Sequence, residues 1–259
     1  MLLTIDVGNT QTTVGLFADD GANLMCWRMP TLQTDTSDSL RSRLHGYFAM
    51  DGFNFSSVTD AAVASVVPVL TRAWLRCFQR MLGRDPLLVG PGASCGMELA
   101  LTNPSRVGAD RIANAVAAVR SYGAPVIVVD FGTATNIDVV DREGAYRGGT
   151  IGPGLILSAD ALFARAAKLS SVPIECPPHA LGDSTESALQ SGLVIGAAAQ
   201  AEGLVARIKQ ELSIDDATVV GTGGLARTVS VATNLFDVID SDLTLRGIRE
   251  IWKWQREHE

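Results

Sequence analysis

Cysteine, histidine and lysine are all scarce in this chain, and each scarcity excludes something. The four cysteines (Cys26, Cys77, Cys95 and Cys176) are scattered without a Cys-x-x-Cys pair, and the three histidines (His45, His179 and His258) stand isolated. That spacing excludes a zinc-finger arrangement and gives no disulfide framework, so the thiols read as reduced and structural. Lys168, Lys209 and Lys253 are the only lysines, and none lies in a glycine-rich turn. With neither a Gly-x-x-x-x-Gly-Lys-[Ser/Thr] loop nor a Gly-x-Gly-x-x-Gly fingerprint, a P-loop nucleotidase and a Rossmann dinucleotide enzyme are both ruled out. Positive charge is also in deficit. The net charge of -7 and pI near 5.0 argue against nucleic acid or an anionic membrane surface as partner. No apolar run approaches membrane-spanning length, and no positive segment precedes the apolar N-terminus, so a soluble cytoplasmic protein is expected.

Apolar residues make up 47% of the 259 positions, enough to build one large core or two modest ones. Two stretches organise them. Near the middle, Val126 to Val129 is an apolar β-branched run that reaches Asp130, passes Gly132, Thr133 and Thr135, and returns through Ile137 to Val140. This is the pattern of a buried strand turning back on itself. Gly132 permits a tight turn that offers peptide N–H groups and threonine hydroxyls to an anion, and Asp130 at the strand end can hold a cation beside it. Leu2 to Phe17 opens the chain with the same device around Asp6, Gly8, Asn9 and Thr10. The two acids lie almost half a chain apart, which predicts duplicated domains, 1–122 and 123–259. Facing each other across a cleft, two such hairpins would surround one polyphosphate.

Between them the pattern predicts a third antiparallel strand near Gly21 to Met29, with Trp27 in the core. A helix capped at Ser37 to Ser39 follows, then a buried strand after Asp60, a helix from Pro68 and a strand at Leu87 to Val89. Gly90 to Val107 lacks periodicity and reads as a mobile segment over a site. It leads into Gly108-Ala109-Asp110-Arg111 at the mouth of a helix that closes near Gly123. In the second half, the glycine-dense bend Gly148 to Gly154 suits close backbone approach. An Ala/Leu-rich helix runs through Leu169, a mostly helical stretch covers Thr185 to Leu212, and an amphipathic helix spans Leu243 to Glu257. The strand at Thr218 to Val220 leads into Gly221-Thr222-Gly223-Gly224, where bare backbone would let a planar ring lie flat.

Phosphate held by backbone N–H groups, hydroxyls and a metal suits phosphoryl transfer, which also needs a carboxylate to accept the proton of the attacking hydroxyl. Asp110 has two readings. It is either a helix-start charge stabilised by the dipole or that proton acceptor.

Taken in order, Asp6-Val7-Gly8-Asn9-Thr10, Asn103-Pro104 with Gly108-Ala109-Asp110-Arg111, Asp130-Phe131-Gly132-Thr133-Ala134, Gly148 to Gly154 and Thr222-Gly223-Gly224 resemble the type III pantothenate kinases over nearly the whole chain. The resemblance implies an α/β fold of the duplicated actin-like, sugar kinase and Hsp70-ATPase type, with two ribonuclease H-like lobes around a cleft. It implies ATP-dependent phosphorylation of pantothenate at the start of coenzyme A synthesis, in a cytoplasmic homodimer using Mg2+ and a monovalent cation, K+ or ammonium. Carried onto this sequence, it makes Asp6, Val7, Gly8, Asn9, Thr10, Gln11, Thr12 and Thr13 an ATP phosphate loop, with Thr133 and Gly223 as further ATP contacts. Gly108, Ala109, Asp110, Arg111 and Thr185 would bind pantothenate, Asp110 as catalytic base, Arg111 on the substrate carboxylate, and Asp130 would ligate the monovalent cation. Leu101 stands where many members have tyrosine. The competing expectations are an inactive ATP-binding regulator on the same fold and a kinase of another small alcohol.

Overall fold

A computed structural model describes residues 1–91, 95–165 and 171–258. The chain forms two compact units, one of Met1–Met97, Thr102–Ala117 and Leu243–Glu259, the other of Glu98–Leu101 and Ala118–Asp242. In the first, strands β1 (Leu2–Val7), β2 (Gln11–Phe17) and β3 (Asn23–Pro30) are followed by helix α1 (Ser37–Met50), β4 (Asp60–Ser65), α2 (Pro68–Leu82) and β5 (Leu87–Val89). Their sheet order is β3-β2-β1-β4-β5. β1 sits at the centre, antiparallel to β2 and parallel to β4, with Leu3, Ile5 and Val7 packed in the core on one face and Leu2, Thr4 and Asp6 on the other.

Helix boundaries follow local chemistry. Thr36, one residue earlier than the expected cap, accepts from the Ser39 N–H at 3.2 Å and closes a capping box for α1. Pro68 opens α2, and Gly83 ends it in the left-handed conformation. Leu40, Leu44 and Phe48 of α1 and Leu70, Trp74 and Phe78 of α2 fill the core against Leu3, Ile5 and Val63. Trp27 is core as expected, stacked on Tyr47 with its indole N–H donating to Asp51 at 2.6 Å.

The second unit repeats the plan. After α3 (Ala109–Tyr122) come β6 (Val126–Phe131), β7 (Ala134–Val140), β8 (Tyr146–Pro153), α4 (Leu155–Arg165), α5 (Thr185–Gln190), α6 (Gly196–Leu212), β9 (Thr218–Thr222), α7 (Ala226–Ser230) and β10 (Val238–Ile239). The sheet order is β10-β9-β6-β7-β8, the counterpart strand for strand of the first. A π-helical turn, Ser191–Ile195, joins α5 to α6 in one continuous helical run.

Three expectations change. The stretch from Gly148 to Pro153 is not a bend but most of strand β8. The glycines are needed because a Cβ at Gly149 would overlap the Ile137 carbonyl and one at Gly154 the Gly132 and Thr133 carbonyls. The segment expected to be mobile is pinned in part, since the Tyr146 backbone donates to Glu98 O at 2.8 Å and accepts from Ala100 N at 3.0 Å. Its residues 92–94 lie outside the described residues, as does the end of the helix expected to reach Leu169. Finally, a division at residue 122 gives the C-terminal helix α8 (Leu243–His258) to the second half, but the helix packs on the first sheet, with Leu245 against Leu2 and Phe17. Among the described residues, no helix is long and apolar enough to cross a membrane.

Candidate active site

In the first unit, β1 delivers Asp6 and Val7 to the turn that begins at Gly8. The Gly8 N–H donates to Gln11 O at 3.1 Å, which folds Gly8, Asn9 and Thr10 into a tight loop. Asn9, Thr10 and Gln11 are exposed, whereas Val7 is fully buried. Thr12 is buried too, its hydroxyl 2.8 Å from that of Thr31, whose N–H donates to Thr10 O at 3.0 Å. The Thr12 side chain therefore braces the loop from inside, and its exposed neighbours carry the surface that an anion would meet. Thr31, just past the end of β3, had no signal in the sequence.

Asp110 comes to the same end of this sheet. The Val66 N–H, just past β4, donates to Val7 O at 3.1 Å. Gly108 lies against the Val66 side chain, and a Cβ at Gly108 would overlap the Asp110 carboxyl. One residue thus separates the strand that carries Asp6 from the Gly-Ala-Asp-Arg turn. Burial raises the Asp110 carboxyl above its ordinary value of 3.8, while the Arg111 N–H, donating at 2.9 Å, and the Arg111 guanidinium pull it back down. A carboxylate so lifted is a better proton acceptor near neutral pH than a solvated aspartate. Ala109 is buried in the first turn of α3, and Arg111 is half-buried.

In the second unit, Asp130 occupies the position of Asp6. Its carboxyl lies 3.5 Å from where a Cβ would stand on Gly132, and a Cβ on Gly223 would overlap it. Two bare glycines thus form a cradle about one carboxyl group. The Leu225 N–H donates to Phe131 O at 3.3 Å, the counterpart of the Val66 to Val7 bond. The repeat is not perfect. Asp6 pairs with Thr13, but Asp130 pairs with Asn136, so the second turn is one residue tighter. Thr133 lies in that turn. Thr185 stands exposed in the first turn of α5, behind a capping box made by Ser184 and Ser187.

No cluster of three or more His, Cys, Asp or Glu suited to a metal occurs among the described residues. All four cysteines are free thiols; burial pushes Cys77 up to about 12 and raises Cys95, which makes both poor nucleophiles.

With this geometry in place, comparison with known proteins is decisive. A family model described as type III pantothenate kinase matches residues 2–207. The chain belongs to the type III pantothenate kinase family. A Thermomicrobium roseum protein named type III pantothenate kinase is 43% identical over 254 residues, covering 98% of this chain and 97% of its own. A protein of that name from Moorella thermoacetica is 42% identical, with 98% and 99% covered. The relatives therefore extend through β9, the Gly223 loop and α8, beyond the stretch that the family model matches. Solved structures show the same duplicated actin-like α/β fold. A Baf family transcriptional activator from Campylobacter jejuni has a TM-score of 0.63 at 16% identity, covering 98% of this chain and 99% of that one. Component A of the (R)-2-hydroxyglutaryl-CoA dehydratase of Acidaminococcus fermentans has a TM-score of 0.58 at 12% identity, covering 100% and 99%. At such identities the likeness carries the fold and not the activity. The pantothenate kinase assignment rests on the family model and the 40–43% identical relatives.

Proposed function

We propose that this pantothenate kinase uses Asp110 to accept the proton of the primary hydroxyl of pantothenate as that oxygen attacks the γ-phosphorus of ATP. The new O–P bond forms as the bond to the β-phosphate oxygen breaks, and ADP and 4′-phosphopantothenate leave. The observation that carries this reading is the Asp110 carboxyl, lifted by burial and set against Gly108 beside Val66, next to the strand that ends in the Asp6 loop. A protein that merely sensed nucleotide would have no use for a base at the acceptor side.

In this reading Gly8, Asn9, Thr10, Gln11 and Thr13 meet the ATP phosphates, with Asp6 at the strand end, and Val7 and Thr12 hold the loop in shape. Thr133 and Gly223 contact ATP from the second unit; Gly108, Ala109, Arg111 and Thr185 bind pantothenate, with Arg111 on its carboxylate. The first unit thus supplies the first phosphate loop and the base, and the second unit the second phosphate loop and the adenosine side. ATP enters with Mg2+, which neutralises charge on the phosphates. The residues at Asp130 suit a monovalent cation, K+ or ammonium, because one carboxyl in a glycine cradle matches a weakly held ion better than a many-ligand transition-metal site. The enzyme acts in the cytoplasm as a homodimer.

The test is ATP-dependent conversion of pantothenate to a phosphorylated product with Mg2+ present, in potassium and in a bulky organic-cation buffer. Turnover should appear in potassium and fall at least tenfold in the organic cation. Equal rates in the two would remove the Asp130 cation role alone. No turnover in either, at millimolar ATP, would favour the regulatory relative, and phosphorylation of other alcohols in place of pantothenate would favour a different kinase.

A further inference from the structure

Asp240 lies just past the end of β10, outside every motif above, yet each of its polar groups is engaged, the backbone pair at the exit of β9. Its N–H donates to Gly221 O at 2.8 Å, and its carbonyl accepts from the buried Thr222 hydroxyl at 2.6 Å. One carboxyl oxygen accepts from the Asp242 N–H at 3.2 Å, closing the turn after β10. The other accepts from the Tyr122 hydroxyl, in the last turn of α3, at 2.6 Å. Asp240 is 7% exposed and Thr222 1%.

The residue after Thr222 is Gly223, held at φ +91° with no space for a side chain. A Cβ there would overlap the Asp130 carboxyl and come within 2.7 Å of the Phe131 backbone. A loop threaded this tightly has one workable position relative to Asp130, and it is set by where Thr222 is fastened. We infer that Asp240, held by Tyr122, is a positioning residue that fixes the Gly221 to Gly224 loop against Asp130 and so sets the affinity for ATP. The inference rests on the proposed role of Gly223 on the nucleotide side. Neither residue touches the reacting atoms. Each works through the backbone, because a buried acceptor that loses its donor recovers satisfaction only by moving.

The experiment compares Tyr122→Phe, Asp240→Ala, Asp240→Asn and Gly223→Ala in steady-state kinetics, with melting temperature measured alongside. Tyr122→Phe and Asp240→Ala should raise the KM for ATP about tenfold while the KM for pantothenate stays within twofold. Asp240→Asn keeps an acceptor and a side chain of the same shape and should return most of the ATP affinity. Gly223→Ala should raise the KM for ATP at least as much. If Gly223→Ala does so but Tyr122→Phe and Asp240→Ala do not, the positioning role is wrong and the nucleotide-side reading survives. If Gly223→Ala leaves the ATP KM unchanged, that reading falls and takes the inference with it. If both KM values rise together in step with a lower melting temperature, Asp240 and Tyr122 are merely structural and the inference is overturned.

Discussion

Asp110→Asn should lower kcat by about 100- to 10,000-fold, the range typical of a lost general base, while leaving the binding of ATP and pantothenate largely intact. The asparagine keeps the shape that Gly108 accommodates and keeps an oxygen for the Arg111 N–H, so the change is in proton affinity and not in packing. Stability should move the other way. Because burial raises the Asp110 carboxyl above 3.8, the folded state holds a proton over a pH range where the unfolded chain has already lost it. The stabilisation from this group is therefore fully present below 3.8 and is lost as pH rises through the lifted folded value. At pH 7.5 the folded enzyme bears the cost of a partly buried negative charge, and asparagine removes it. The variant should accordingly melt at or above the wild-type temperature at pH 7.5, with the gap narrowing as the pH is lowered through the lifted value of the folded Asp110 carboxyl. Thermal melts across that range, paired with kcat, check both halves. Near-normal turnover would remove Asp110 as base, and a variant that melts well below wild type at pH 7.5 would contradict the burial argument. The pairing of lower activity with undiminished stability is expected of a functional residue kept against the interest of the fold.

Gly247→Ala should produce the largest loss of stability. On helix propensity alone the substitution would gain about 1 kcal/mol. Gly247 is buried in α8, however, where that helix crosses α3, and a Cβ there would overlap the carbonyl of Ala113. The obstacle is backbone, so no side chain can rotate away to relieve it. Overpacking of this kind costs typically about 1–3 kcal/mol and occasionally more, and a rigid backbone obstacle places it just above that range, at about 4 kcal/mol, which leaves about 3 kcal/mol net of the propensity gain. With roughly 2–4 °C per kcal/mol for a chain of about 150–250 residues, the melting temperature should fall by roughly 6–12 °C. The Thr244 hydroxyl donates to the buried Asn114 side chain at 2.7 Å in the same crossing, so the two helices would separate at a point where a polar group also needs its partner. Because α3 carries Asp110 in its first turn, kcat should fall as well, measured below the melting transition. A wild-type melting temperature would mean that α8 does not press on α3 at Gly247.

Much of this was legible in the sequence, for identifiable reasons. The two Asp-x-Gly hairpins could be read because a strand buried on both faces leaves an unbroken apolar run, and the acid with its glycine punctuates that run where the backbone must turn. Their separation by almost half the chain announced a repeat, and the matched strand orders in the two sheets bear this out. The helix mouth at Asp110 was readable for a similar reason, since glycine, small residue and acid mark a first turn. What the sequence concealed depends on long-range contact. Thr12 lies inside a motif whose neighbours are exposed, and only the pairing of β2 with β3 puts Thr31 opposite to take its hydroxyl inward. Gly149 of β8 looks like flexibility, but it is demanded by the Ile137 carbonyl on the neighbouring strand.

The sequence by itself determined the two acidic hairpins and the acid at the mouth of α3, because each of these is written in local backbone chemistry over short stretches of chain, while the reaction class came from the resemblance of those motifs, taken together, to the type III pantothenate kinases. Only the tertiary structure decided that α8 packs on the first sheet, that Val66 links the Asp6 strand to Gly108, and that Tyr122 and Asp240 fasten the Gly223 loop. These join residues far apart along the chain, and side chains so distant meet only when burial of the apolar faces has fixed the sheets on which they stand.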